Sequence, residues 1–252
     1  MTDLNNKVAI ITGAGQGVGQ GIALALAAKG ANIVVAGRTL EKCETSAELI
    51  RARGVKALPL RCDVMVEEDL KSLIDTTQSE FGRLDILVNN AQTVPNGPLL
   101  KVTDTALIDG FTSGPVATFR LMKMAYPHLK ASRGHIINIL SSVMKRWDVG
   151  TYGGYAAVKA ATQQLTRAAA NEWGKDGIRV NAIMPHAKSP ALKGWMDRNP
   201  VEAEHFQKSI PLGRVGECEE DIGAFVAMMC LDDARYLSGQ TIALDGGQVF
   251  IG

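Results

Sequence analysis

The chain has 252 residues, with 27 Lys plus Arg against 26 Asp plus Glu and a net charge of +1. No run of like charges stands out, which argues against nucleic acid or an anionic membrane as partner, and no apolar run approaches the roughly 18 residues of a membrane helix. The four cysteines, Cys43, Cys62, Cys218 and Cys230, have neither the close pairing of a metal site nor the density of a disulfide scaffold, so no metal and a reduced, cytoplasmic setting are expected. A strand pattern begins by Val8 with no charged region and long apolar core before it, as in an unexported protein.

Strand and helix patterns then alternate. Val8–Thr12 is a short apolar run, and residues 18–29 are Ala/Leu-rich at helical spacing. Further strands are predicted at residues 32–36, Ala57–Arg61, 85–89, 136–140, 179–184 and Thr241–Leu244. Helices are predicted at residues 40–53, 67–80, 105–130, 155 to about 175, and 219–230. Strands buried on both faces read as unbroken apolar runs, with the helices between them as crossovers. The expected fold is therefore α/β: a Rossmann-type doubly wound parallel sheet flanked by helices, in a single domain over residues 1–252. The stretch before Pro95 and residues 185–200 read as the longest irregular pieces, and residues 185–215 as the region that meets substrate.

The first strand leads into Thr12-Gly13-Ala14-Gly15-Gln16-Gly17-Val18-Gly19. Glycines at a strand-to-helix turn let the backbone approach a pyrophosphate, and the helix behind them supplies amide donors and a positive dipole end. The spacing differs from G-x-G-x-x-G; the bland alternative is a tight connection. At the end of the second strand an acidic residue would bind a ribose 2′-hydroxyl and repel a 2′-phosphate. Ala36-Gly37-Arg38 stands there instead. Arg38 offers a planar, charge-assisted fork for that phosphate, which favours NADP, with NAD as the alternative.

The Ile-rich strand at residues 136–140 stops at Ser141 and Ser142, and after a glycine-containing loop a helix begins near Tyr155 and carries Lys159. Side chains four residues apart share a helix face. A free phenol titrates near about 10, and a neighbouring ammonium favours the phenolate and draws it toward the working range. Ser142 is then placed to hold a substrate oxygen.

TGAGQGVG, Asn89-Asn90-Ala91, and Ser142 with Tyr155-Ala-Ala-Val-Lys159 together resemble the short-chain dehydrogenase/reductase family over nearly the whole chain. So do Pro211-Leu-Gly-Arg-Val-Gly216 and the stretch from Tyr236 to Gly247. The resemblance implies an NAD(P)-dependent oxidoreductase acting on CH–OH groups. Tyr155 would be the acid/base, and Lys159 would lower its pKa and hold the nicotinamide ribose. Ser142 rather than Ser141 would orient the carbonyl or alcohol oxygen, because it stands 13 residues before the tyrosine. Cofactor contacts are implied at Gly13, Gln16, Gly17, Val18, Gly19, Arg38, Asp63, Val64, Asn90, Ala91, Tyr155, Lys159 and Pro185. Asp63 also suits a helix N-cap.

Three positions depart from the family. Gln92 stands where Gly is usual, and His186 where Gly usually follows Pro185. Gly114 stands where the long helix usually has an Asn that helps hold a water beside the lysine. Gly114 and Pro115 together predict a kink or irregular turn.

Met144, Trp147, Met184, Trp195 and Met196 suit a bulky apolar substrate such as a steroid, terpenoid or cyclic alcohol, or else pack into a lid. Lys145, Arg146, Lys188 and Lys193 leave a 3-oxoacyl thioester reductase as an alternative. The three departures suggest a second alternative, a non-catalytic NADP-binding sensor or scaffold, which the intact Ser142, Tyr155 and Lys159 oppose. Helices carrying Phe119, Leu121, Met122, Met124 and Ala168 to Ala170 are apolar on more than one face. The resemblance implies that two such helices pair with their copies, with the last strand and the tail from Gln248 to Gly252 building a second interface. A homotetramer is expected, with a dimer as the fallback.

Overall fold

The computed structural model describes residues 3–146 and 150–249. Seven parallel strands form one sheet in the order β3-β2-β1-β4-β5-β6-β7: β1 Val8–Thr12, β2 Asn32–Gly37, β3 Ala57–Arg61, β4 Ile86–Asn89, β5 His135–Ile139, β6 Arg179–Pro185 and β7 Thr241–Leu244. Alternate residues of β1 show why these runs are apolar throughout. Ala9 and Ile11 point into a core with α1 (Gly17–Ala28) and α2 (Leu40–Arg51), while Val8 and Ile10 face α3 (Glu67–Phe81). Both faces are buried, as expected for a doubly wound sheet. Asp85 lies just before β4 rather than in it, and its carboxylate accepts from Val8 N at 2.9 Å, which joins the starts of β1 and β4.

The expected helix at residues 105–130 is broken. It consists of α4 (Asp104–Phe111), a π-helical turn at Thr112–Val116 holding Gly114 and Pro115, and α5 (Ala117–Ser132). The predicted irregular turn is present: Pro115 cannot donate to the ladder, and the widened turn absorbs that loss. The helix expected at residues 219–230 likewise begins with a π-helical turn, Cys218–Gly223, and continues as α9 (Ala224–Met229). This turn packs directly on α1. A side-chain carbon on Gly21 would collide with the backbone of Cys218, and one on Gly223 with the Gly21 carbonyl.

Residues 185–200 are more regular than the sequence suggested. Ser189 accepts from Leu192 N at 3.3 Å and caps α7 (Pro190–Arg198), and α8 (Pro200–Lys208) follows after Asn199. A Ser N-cap with Pro in the first turn is a helix-start signal, but Gly194 inside α7 and Pro200 just after it read as breakers in the sequence. The segment leaves and rejoins the sheet at one point: Ala187 and Gly216 form an isolated parallel bridge, and Lys188 N donates to Gly216 O at 2.9 Å. The remaining long helix is α6 (Gly153–Trp173), which buries Val158, Lys159, Thr162, Thr166 and Ala169 at three- and four-residue intervals. Among the described residues no helix is long and apolar enough to cross a membrane.

Candidate active site

The sheet order reverses between β1 and β4, so the loops after these two strands part and leave a crevice. A cleft of about 510 Å³ opens there. The Thr12 hydroxyl closes its floor, accepting from Asn90 N at 3.0 Å and Ala91 N at 3.1 Å. In return the Asn90 side chain donates to Thr12 O at 2.9 Å. Gly13 adopts φ +68, and a side-chain carbon on it would lie 2.7 Å from Asn90 Nδ2. Glycine is required both by the backbone angle and by the contact.

Of the expected contacts, Gly13, Gln16, Gly17 and Val18 line the cleft at the glycine turn, Arg38, Asp63 and Val64 at one end, and Asn90 and Ala91 on the floor. Gly19, Tyr155, Lys159 and Pro185 do not form its wall. Gly19 instead packs on the Gly13 carbonyl and the Asn90 amide, where a side chain would intrude. Pro185 ends β6, and Ser189, Pro190 and Ala191 come to the cleft in its place. Asp63 does not cap α3, whose N-cap is Val66. Its carboxylate accepts from Met65 N at 3.0 Å, stabilising the turn before the helix.

The cradle fits a pyrophosphate. The first turn of α1 has no acidic residue and no capping side chain, so its amides are uncommitted and its dipole is unopposed. At the far end Lys42 joins Arg38 on the wall, and its ammonium donates to Gln16 Oε1 at 2.8 Å. Lys42 was not among the expected contacts. Its signal was legible, since it stands one helical turn after Arg38 at the start of α2.

Tyr155 lies in the first turn of α6, half-buried, and Lys159 one turn on, almost fully buried. The Lys159 ammonium donates to Ile139 O, at the end of β5, at 2.6 Å and lies 5.4 Å from the centre of the Tyr155 ring. Burial pulls this lysine down to about 7. The Tyr155 phenol is pushed up to about 12, chiefly by burial, against a hydrogen bond from Ser141 that pulls it down. The expected lowering of the phenol is therefore not what the free protein shows, because desolvation of the phenolate outweighs every favourable partner.

Ser141 accepts from Val143 N at 3.4 Å, and its hydroxyl is the neighbour that pulls the phenol down. Ser142, 5 % exposed, begins the next short helical turn.

Two residues outside the expected set hold α6 in register with the sheet. Asn138 in β5 accepts from Asn89 Nδ2 at 2.8 Å and donates to Thr166 Oγ1 at 2.9 Å. Of the residues expected near substrate, Met184 is fully buried and packs in a small core with Leu140 and Ala182, so it does not face a ligand. Trp195 meets Phe206 edge-on with ring centres 5.8 Å apart, and Phe206 meets His186 at 5.2 Å. These rings form a packed ladder under α7 and α8. Trp147 lies outside the described residues. Among the described residues no cluster of ligands suits a metal ion.

A family model described as Enoyl-(Acyl carrier protein) reductase matches residues 13–248. The chain is 40% identical over 251 residues to a 12alpha-hydroxysteroid dehydrogenase of a Clostridium species, covering 96% of each chain. It is 34% identical over 249 residues to a 3-oxoacyl-(acyl-carrier-protein) reductase of Staphylococcus aureus, covering 96% of this chain and 97% of the other. A solved structure of a 7 alpha-hydroxysteroid dehydrogenase complexed with NADH and 7-oxo glycochenodeoxycholic acid superposes with a TM-score of 0.91 at 31% identity, covering 98% of this chain and 96% of that one.

The buried lysine carries a sign that can be checked. Its native pKa is lowered, so between about 7 and its ordinary value the unfolded chain binds more protons, and stability rises with pH. Lys159→Met removes that dependence. The variant should be the more stable protein at pH 7, and its advantage should shrink by roughly 2 kcal/mol on going to pH 9 in urea unfolding. A constant difference across that range would show that the ammonium is not desolvated.

Proposed function

The chain belongs to the short-chain dehydrogenase/reductase family, oxidoreductases that act on CH–OH groups, and from that premise we propose that it interconverts a secondary alcohol and a ketone on a bulky apolar ring system of steroid type, with NADP(H). The observation that carries the reading is the placement of the Tyr155 phenol and the buried Lys159 ammonium on one face of α6 beside the end of β5. When bound, the nicotinamide dinucleotide supplies the hydride in reduction and accepts it in oxidation.

The protein's own groups handle the proton and the oxygen. In reduction Tyr155 donates its phenolic proton to the developing alkoxide, and in oxidation the phenolate takes the proton from the alcohol. Ser142 orients the substrate oxygen, and Ser141 holds the phenol. Lys159 is held by Ile139 O beneath the tyrosine ring and, when protonated, favours the phenolate. Each donor well placed on the alkoxide contributes roughly 3 kcal/mol to the transition state.

Support for NADP comes from Arg38 and Lys42 at one end of the cleft, with Gly37-Arg38-Thr39 where an acidic residue would exclude a phosphate. Residues 185–215, with α7 and α8 and the Trp195–Phe206–His186 ladder, serve as the substrate-binding region. The steroid class is supported by the two hydroxysteroid dehydrogenase relatives. The acyl-thioester reductase relative makes 3-oxoacyl substrates the counter-screen. All four cysteines are free, which suits a reduced cytoplasmic setting.

We also propose a homotetramer. Ile108, Val116 and Phe119 on the α4–α5 segment are 61%, 38% and 46% exposed, an apolar stripe its own sheet does not cover. The tail beyond Val249 lies outside the described residues. Light scattering should give about four times 26.9 kDa at micromolar concentration; a monomer mass would refute this assembly.

Two substitutions test the chemistry. Tyr155→Phe should lower turnover of hydroxysteroids about a thousandfold while NADPH affinity stays within about threefold; a variant that keeps most of its activity would remove Tyr155 from the mechanism. Arg38→Asp should reverse the preference for NADPH over NADH in kcat/KM, because it deletes the phosphate partner and adds a repulsive charge. Equal use of both cofactors by the wild type would end the argument from Arg38.

A further inference from the structure

Tyr152 stands three residues before Tyr155, at the N-cap of α6, and its ring lies 6.3 Å from the Tyr155 ring with the planes at 57°. The loop that carries it is pinned from two sides. Gly97 N, in the segment after β4, donates to Thr151 O at 2.8 Å, and Ala156 N, inside the helix, donates to Tyr152 O at 2.8 Å. Leu99 seats on Gly153, where a side-chain carbon would come within 3.1 Å of it, and Pro95 O lies 3.4 Å from such a carbon on Gly154. The second phenol therefore has a fixed place beside the first.

The Tyr152 hydroxyl does not cap α6 and makes no hydrogen bond to the described residues. It is open to water rather than buried without a partner. Burial raises the Tyr155 phenol most, and the Tyr152 phenol adds to that rise through its charge, so the two groups share one neighbourhood. The protein thus keeps an uncommitted donor next to its acid/base.

That donor has no place on the reacting oxygen. A carbonyl oxygen has two lone pairs, and in the proton transfer described above Tyr155 and Ser142 take one each. A substrate that covers Tyr152 without offering an acceptor strips its hydroxyl of water and leaves it unpaired, which is unfavourable. A substrate with a second oxygen nearby meets it instead. Sites built on such a hydroxyl discriminate against the analogue that lacks the partner. Phenols whose rings are 6.3 Å apart reach oxygens on one ring or on two fused rings, not at opposite ends of a polycyclic skeleton.

We propose that the Tyr152 hydroxyl recognises a second oxygen of the substrate, so that the preferred alcohol or ketone carries a further hydroxyl or oxo group on the reacting ring or on a ring fused to it. The inference rests on the alcohol–ketone reading of the preceding section and narrows its substrate class. It makes Tyr152 a specificity-determining residue that hydride and proton transfer do not use.

The test is reduction of matched pairs of ketosteroids with NADPH, the members of each pair differing by one hydroxyl on the ketone-bearing ring or on a ring fused to it. The wild type should favour the hydroxylated member of at least one pair about tenfold in kcat/KM, with the difference carried by KM. Tyr152→Phe keeps the ring against Tyr155 and removes only the hydroxyl, and it should bring that ratio to about twofold or less. Tyr152→Leu should give the same low ratio. A ratio that survives in Tyr152→Phe overturns the proposal, because the preference would then lie in the ring or elsewhere. A wild type that reduces ketosteroids but favours neither member of any pair also overturns it, and leaves the alcohol–ketone reading intact. A wild type that reduces no ketosteroid with NADPH or NADH overturns the reading on steroid rings and this inference with it.

Discussion

The Thr12–Asn90 clasp is the contact on which the rest of the site depends. A parallel sheet can open a crevice only where neighbouring strands send their loops to opposite faces, and there the backbone loses its ladder partners. Thr12 Oγ1 takes up two of the freed amides, and the Asn90 side chain returns a donor to the Thr12 carbonyl. Without these bonds the glycine turn and the β4 loop would be two independent flexible segments. With them the turn presents its amides from a fixed platform, and Gly13 and Gly19 are small because the Asn90 amide is pressed against both. Much of what reads as a cofactor motif is, in this sense, packing of one loop against another.

A second constraint is the burial of Lys159. An ammonium under the sheet edge with one carbonyl acceptor is strongly disfavoured in its charged form, which is why its pKa falls to about 7. The same desolvation raises Tyr155. In the free protein the phenol therefore keeps its proton, and no phenolate is preformed. The Asn89–Asn138–Thr166 chain keeps α6 from yielding to that strain, since it ties the helix to two strands at the sheet centre.

The strands were legible because each is a short apolar run, and β3 and β7 begin and end where the pattern does. Helix ends were less so: the sequence carries the signals for the broken turn at Gly114 and Pro115, but Ser189 and Pro190 stand in a stretch whose prolines and Gly194 read as loop. Gly19 matched a motif yet serves packing, and Met184 looked like a pocket residue yet fills a core layer, because residue type alone does not say which side of a strand end faces out. Ser141 could not be told from Ser142 by chemistry. The family spacing favours Ser142, while Ser141 beside it also acts on the phenol. Lys42 was readable one turn after Arg38, but only once the helix start at Leu40 is taken to project its first turn into the cleft.

The bridge between Ala187 and Gly216 makes the two-helix segment a cassette with both ends at one point. Its ends are joined at the stem by the Lys188 N to Gly216 O bond, and along its length Leu212 N donates to Gly246 O and Ile210 is buried. The sheet beneath neither gains nor loses a strand if the cassette is exchanged, and α1 stays locked to the Cys218–Gly223 turn on the far side of the stem. On the substrate role proposed for this segment, replacing residues between the stem positions is a route to new alcohol specificity on an unchanged redox chassis, provided Ser189, Pro190 and Ala191, which belong to the cleft, are kept.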